Sequence, residues 1–168
     1  VGSRDLDDAG IVTFLQHAAA VDAAVLVHPW DMDPLGGRLA QHMMGWTVGM
    51  PLETHLSITS MVLGGAFDRL PTSLRLCFAH GGGAFPFLLG RLENAWHERT
   101  IARGKSEHPP SHYLDRFCVD SAVFDSRALG LLVEGELGGS FAGRTSSTLA
   151  ASAERVRAAQ NRRHRRPV

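Results

Sequence analysis

The feature that most constrains the fold is a pair of apolar runs, AAVLVHP (23–29) and LRLCFAH (74–80). Both are nearly continuous in apolar residues, which is typical of strands buried on both faces. A helix with an acidic first turn is predicted before the first run, a helix over 51–67 between the two runs, and a helix from about Phe85 after the second. This alternation predicts parallel strands that are joined by helical crossovers.

A third strand is predicted over RFCVDSAVF (116–124), and a fourth helix over DSRALGLLVE. Three polar residues then follow or end the predicted strands, namely His28, His80 and Asp120. Active sites of parallel α/β barrels and open α/β sheets form at the carboxyl ends of the strands. The chain before the composition change at about residue 134 is therefore predicted to be an α/β domain with its site at this edge.

Composition excludes several classes of function. The 168 residues correspond to about one domain, and the net charge is +0, so neither nucleic acid nor a membrane surface is expected as a partner. No apolar run reaches the roughly 18 residues of a membrane span, and no signal peptide is evident. Strand alternation places Cys77 opposite to the face of His80, and Cys118 on the face of Asp120. A disulfide is not expected, and a cytoplasmic enzyme is predicted.

Both ends of the chain show unusual features. It opens VGSRDLDDAG without a methionine, which indicates a fragment or a clipped chain. Residues 134–168 carry 7 basic and 3 acidic residues and few large apolar ones. This basic, low-complexity tail is predicted to be disordered or solvated, or to be a frameshifted reading of GC-rich DNA.

Two of the nine histidines are candidates for chemistry. His28 and His80 each follow a buried strand, where an imidazole can bind zinc or transfer a proton, although a capping or core role is the alternative for both. Asp120 is a candidate carboxylate or a hydrogen-bonding strand-end residue. The HGGG run at 80–83 is not assigned to an oxyanion hole, because the chain has no G-x-S-x-G nucleophile motif. Its glycines are expected to let the backbone pass close to a ligand or to start the next helix.

Four phrases together resemble one family: VLVHPWDM, GWTVGMPLET, FAHGGGAFPFLLGRLENAW and YLDRFCVDSAVFD. They are similar to the decarboxylase branch of the amidohydrolase superfamily, over about residues 5–133. The resemblance implies a partial (β/α)8 TIM barrel of the amidohydrolase type. It also implies a zinc-dependent carboxy-lyase of tryptophan and aromatic catabolism, which is a homodimer, acts on a small-molecule carboxylate and needs no organic cofactor.

The same resemblance implies roles for four residues. His28 corresponds to a metal ligand, and His80 to the acid/base of the site. Trp46 corresponds to a substrate-contacting tryptophan, and Arg91 to an arginine that reaches the site of the neighbouring subunit. Without the resemblance, Trp46 is interpreted as a loop residue that packs on the rim of the barrel, and Arg91 as an arginine on the surface of a helix.

The chain also departs from the family pattern. The His-x-His pair of the first strand and the aspartate ligand of the eighth strand are missing, so His28 is the one family metal ligand present. This leaves the activity of the chain open. The alternatives are another hydrolase or decarboxylase of the same family, and a non-catalytic remnant or interaction subunit.

Overall fold

The computed structural model describes residues 4–30 and 35–134, with the side chain of Glu134 left out. The tail that the sequence predicts over 134–168 lies outside the described residues, apart from Glu134 at the end of the last helix. Helices and strands alternate along the described chain, with two helices in succession between the first two strands. In order they are α1 (Ala9–Ala20), β1 (Ala24–Val27), α2 (Met50–Leu63), α3 (Ala66–Arg69), β2 (Arg75–Phe78), α4 (Phe85–Glu98), β3 (Cys118–Val119) and α5 (Ser126–Glu134).

The strands form one sheet in the order β1-β2-β3, and both pairings are parallel. Leu26 lies opposite Cys77, and Cys77 lies opposite Cys118. This confirms the prediction of parallel strands with helical crossovers. The third strand is shorter than the predicted 116–124, because a 3-10 helix occupies Pro110–Arg116 before it. After β3 the chain turns, and the side chain of Asp120 stabilises this turn by accepting a hydrogen bond from the amide of Ala122 at 3.0 Å.

The helices begin and end where local chemistry dictates. The Asp8 carboxylate caps α1 by accepting a hydrogen bond from the amide of Gly10 at 2.9 Å. The helix predicted over 51–67 is divided in two, since Gly64 ends α2 and Gly65 takes a left-handed φ of 65° before α3. A Cβ at Gly65 would meet the carbonyl oxygen of Lys105, so this break also allows two segments to approach closely.

An aromatic cluster fills the space between the sheet and its helices. Phe117 contacts Phe78 edge-on at 5.3 Å between ring centroids, and it stacks on Phe67 at 5.7 Å. Phe85 at the start of α4 joins the same cluster. All four phenylalanines are buried. The cluster anchors the end of β2 and the start of α4, and therefore the turn between them that carries His80.

The two cysteines contradict the expectation that they lie on different faces. They occupy paired positions of neighbouring parallel strands, so their side chains share a face, and both thiols are free. The prediction counted strand alternation through to His80. The chain has already left the strand there, since β2 ends at Phe78 and His80 takes a φ of 57°.

Candidate active site

Two imidazole rings meet at the carboxyl edge of the sheet. His28 directly follows β1, and His80 lies two residues after β2, where Ala79 still donates to the carbonyl of Val27. Because β1 and β2 are neighbouring parallel strands, the two rings approach to 4.9 Å between centroids and are inclined at 58°. The structure thus brings together the two histidines that the sequence singled out.

The imidazole of His28 is held by its own backbone turn. Its Nδ1 lies 2.8 Å from the carbonyl oxygen of Pro29. A carbonyl only accepts hydrogen bonds, so Nδ1 carries the proton and donates it. In the neutral ring, Nε2 then holds the lone pair. Metal-binding histidines use this arrangement, in which the nitrogen opposite the ligand atom donates to a carbonyl or a carboxylate.

The imidazole of His80 is held from the side of α2. Its Nδ1 lies 3.0 Å from the hydroxyl oxygen of Thr54, which is completely buried. Burial lowers the pKa of His80, the nearby His28 lowers it further, and Asp120 acts in the opposite direction. The net shift favours the neutral ring, which is the form that accepts a proton.

The residues after His80 turn sharply so that the chain can enter α4. His80 and the next three glycines all have φ between 57° and 79°. A Cβ at Gly81 would overlap the side chain of Val123, and one at Gly83 would overlap the carbonyl oxygen of Pro51. The glycines therefore allow close approach to the chain's own residues, at Gly83 to the first turn of α2, and approach to a ligand stays a prediction.

Asp120 stabilises this turn from β3. Its Oδ1 accepts hydrogen bonds from the amides of Gly81 at 2.9 Å and Ala122 at 3.0 Å. Of the two roles left open by the sequence, the structure shows the hydrogen-bonding one. Asp120 links the loops that follow β2 and β3, and it holds the backbone that presents His80.

Trp46 packs against a loop at this edge, whereas Arg91 lies on an exposed position of α4. Trp46 is in a π-helical turn, Gly45–Gly49, before α2, and it packs on Phe124 of the loop after β3 at 5.8 Å between ring centroids. It therefore lies among the loops at the carboxyl ends of the strands. Arg91 is exposed in the second turn of α4, and it forms no ion pair with any described residue.

Comparison with known proteins shows what the chain is similar to. No protein-family model matches the chain. Over 135 residues, or 79% of its length, the chain is 43% identical to the 2-amino-3-carboxymuconate-6-semialdehyde decarboxylase of Dictyostelium discoideum. The 5-carboxyvanillate decarboxylase of Sphingomonas paucimobilis superposes with a TM-score of 0.67 at 27% identity, over 78% of this chain and 41% of that one. The chain is homologous to these decarboxylases.

The homologous decarboxylases have the amidohydrolase barrel fold, so the three strands are part of such a barrel, as predicted. The dihydroxybenzoic acid decarboxylase of Polaromonas, solved with bound manganese and an inhibitor, shares the fold with a TM-score of 0.65 at 23% identity, over 77% of this chain and 41% of that one. The chain spans 37% of the length of the Dictyostelium decarboxylase. None of the described helices is long and apolar enough to cross a membrane.

The residues at the described cleft can be compared with what a protein metal site requires. The imidazole of His28 has the tautomer that a ligand role through Nε2 would need, because its Nδ1 donates to the carbonyl of Pro29. A catalytic zinc site usually has three protein ligands, whereas the cleft of the described chain brings together two imidazoles. The described group of three potential ligands within 4.8 Å of one another is elsewhere, at Asp68, Glu107 and His108 on the surface. The described cleft therefore does not complete a metal site.

Thr54 is the site residue that sequence reasoning missed. The one available signal was its spacing, since it precedes Ile58 by four residues and Met61 by seven, on the buried face of α2. A polar residue on an apolar helix face needs a partner, and here the partner is His80.

Proposed function

We propose that this chain contributes to a metal-dependent, non-oxidative decarboxylase that acts on 2-amino-3-carboxymuconate 6-semialdehyde or a similar unsaturated carboxylate. The observation that carries the proposal is the His28–His80 pair, 4.9 Å apart at the carboxyl ends of two parallel strands. The homology to decarboxylases over most of the chain supports the reaction class.

Decarboxylation breaks the bond between a carbon atom and its carboxylate, and the electron pair stays on that carbon while CO₂ leaves. The carbon must then be protonated. His80 suits proton transfer because its lowered pKa favours the neutral ring, which can accept a proton. The buried hydroxyl of Thr54 also holds the ring in place at Nδ1. We assign it as the group that takes up a proton in the cleft and returns it to the carbon.

The remaining roles follow from position. His28 is assigned as a metal ligand, and a bound zinc ion would supply positive charge that stabilises the developing negative charge. Trp46 is assigned to the substrate wall, since it lies among the same loops. Arg91 is assigned to the carboxylate of a substrate held by a partner subunit, because an exposed guanidinium can bond both oxygens. Zinc, the homodimer and a cytoplasmic location remain predictions.

A non-catalytic interaction subunit is the second candidate, and one observation favours it. The described cleft offers two imidazoles where a catalytic zinc site needs three ligands. The two candidate functions differ in one expectation. If the chain is part of an enzyme, substitution of His80 should abolish decarboxylation when the rest of the barrel is supplied.

The test therefore assays the chain alone and after co-expression with the part of the Dictyostelium decarboxylase that it does not match. Zinc is added, and loss of 2-amino-3-carboxymuconate 6-semialdehyde is followed. The proposal is supported if the co-purified complex decarboxylates the substrate. This activity should be lost with His80→Asn and kept with the exposed control His97→Asn. A complex that forms and binds zinc but has no activity overturns it in favour of the interaction subunit.

A further inference from the structure

Thr54 occupies a position where one hydroxyl faces two polar atoms. Its Oγ1 lies 3.1 Å from the carbonyl oxygen of Met50, one helical turn earlier, and 3.0 Å from Nδ1 of His80. The residue is completely buried, so water does not replace either contact. Both hydrogen bonds must therefore be made from the protons that these three residues hold.

Counting those protons leaves one arrangement that satisfies both contacts. A threonine hydroxyl donates one hydrogen bond and accepts up to two, and the Met50 carbonyl only accepts. The hydroxyl proton is therefore given to Met50, a bond that threonine commonly makes inside helices. The contact with His80 then requires that Nδ1 be the donor. The reverse arrangement would take the hydroxyl proton away from the carbonyl.

We infer that Thr54 is a positioning residue that fixes His80 as the Nδ1–H tautomer, with the lone pair on Nε2. The nitrogen that bears the proton in a histidine is set by the hydrogen bond that the other nitrogen makes. Free neutral histidine prefers the opposite tautomer, with the proton on Nε2, so the protein has to impose this one.

The consequence for chemistry rests on the proposed function. Nε2 lies across the ring from the nitrogen that Thr54 holds, so the proton-accepting atom of His80 is turned away from α2. His28 has the same tautomer because its Nδ1 donates to Pro29. Each of the two neighbouring rings thus offers a lone pair on Nε2, and neither nitrogen is engaged by the described residues. A ring with its proton on Nε2 would have its lone pair on the atom that contacts the buried Thr54 hydroxyl.

The tautomer is tested by nuclear magnetic resonance on the whole chain, labelled with ¹⁵N. Long-range ¹H–¹⁵N correlations are recorded at about pH 8.5, well above the ordinary histidine pKa of about 6.5, so that the rings are neutral. The ring of His80 is assigned by the loss of its signals in His80→Gln. The wild-type spectrum is expected to show a protonated Nδ1 and an Nε2 with the shift of a lone-pair nitrogen.

Three variants separate the hydroxyl from its surroundings. Thr54→Val keeps the shape but removes the hydroxyl, and it is expected to exchange the shifts of the two His80 nitrogens. Thr54→Ser keeps the hydroxyl and should restore the wild-type pattern. Thr59→Val is the matched control on the same helix, since the buried hydroxyl of Thr59 has no hydrogen-bond partner among the described residues. It should leave the His80 signals unchanged.

Two results would overturn the inference. The first is a wild-type His80 with its proton on Nε2, and this measurement stands even when Thr54→Val does not fold. The second is a folded Thr54→Val whose His80 keeps a protonated Nδ1. Neither depends on activity, so an inactive complex in the decarboxylation assay leaves the tautomer result standing.

Discussion

Cys77 and Cys118 lie directly opposite each other in neighbouring parallel strands, with both side chains on one face of the sheet. The adjacent Cys77 thiol, which can donate a hydrogen bond to the Cys118 thiolate, lowers the pKa of Cys118 to about 7. The same interaction, together with burial, raises the pKa of Cys77. Because the thiolate is the reactive form of cysteine, the two residues should differ in reactivity although both are half-buried.

Cys118 is expected to react with iodoacetamide faster than Cys77 at neutral pH. Its rate should rise with pH and reach half of its maximum near pH 7, as the thiol loses its proton. Cys77→Ala removes the hydrogen-bond partner, so the Cys118 pKa should return toward about 8.5 and its rate at pH 7 should fall about tenfold. Peptide mass spectrometry after timed alkylation measures both sites. Equal rates at the two cysteines would contradict the expected difference between their pKa values.

Zinc is expected to bind the described cleft weakly. Two imidazoles at 4.9 Å supply fewer ligands than the three of a usual catalytic site. Isothermal titration should give an affinity well below that of a complete site, and His28→Ala should remove the cleft contribution. The titration is run in a His108→Ala background, because that residue belongs to a surface group with Asp68 and Glu107.

The zinc prediction also has a clear contrary outcome. A tight site that survives His28→Ala in this background would show that other residues hold the metal. His97→Ala serves as the matched control, since this histidine is exposed on α4 and pairs with Glu93.

The glycine turn after His80 should be intolerant of a side chain. Gly83 has a φ of 62°, and a Cβ there would overlap the carbonyl oxygen of Pro51. Gly83→Ala is expected to reduce the free energy of unfolding by roughly 2–4 kcal/mol, since it adds a steric clash to an unfavourable backbone conformation. Gly90→Ala is the matched control, because nothing lies within 4 Å of a Cβ at that helical position. It should instead stabilise the chain by roughly 0.5–1 kcal/mol. Urea unfolding measures both changes.

The alternation of apolar runs and helical spacing predicted the parallel sheet and the meeting of His28 and His80. Both depend on short-range patterns and on a general rule of parallel sheets. The sequence could not predict what depends on three-dimensional proximity. The facing of Cys77 and Cys118 depends on the residue at which β2 ends. The contact between Thr54 and His80 depends on how α2 packs against a turn 26 residues later.

The free edge of β1 is the basis of the last prediction. Within the described residues β1 pairs with β2 alone, so its other edge leaves backbone groups unpaired. Beside that edge lies an open apolar groove of ≈ 480 Å³ between β1 and α1, lined in part by Phe14, Val21 and Leu26. Exposed apolar edges of this kind promote pairing with a second chain.

The purified chain is therefore expected to self-associate through this edge. Leu26 is 62% exposed in β1, and Leu26→Lys places a charge where a second copy would pack. Burying a leucine contributes about 1.5–3 kcal/mol, so the substitution should weaken association at least about tenfold. Ile101→Lys is the matched control, because Ile101 is 92% exposed but lies in the Thr100–Arg103 turn after α4. Sedimentation velocity over a range of concentrations compares the three proteins. Association that falls equally with both substitutions would mean that general surface hydrophobicity, rather than the β1 edge, holds the copies together.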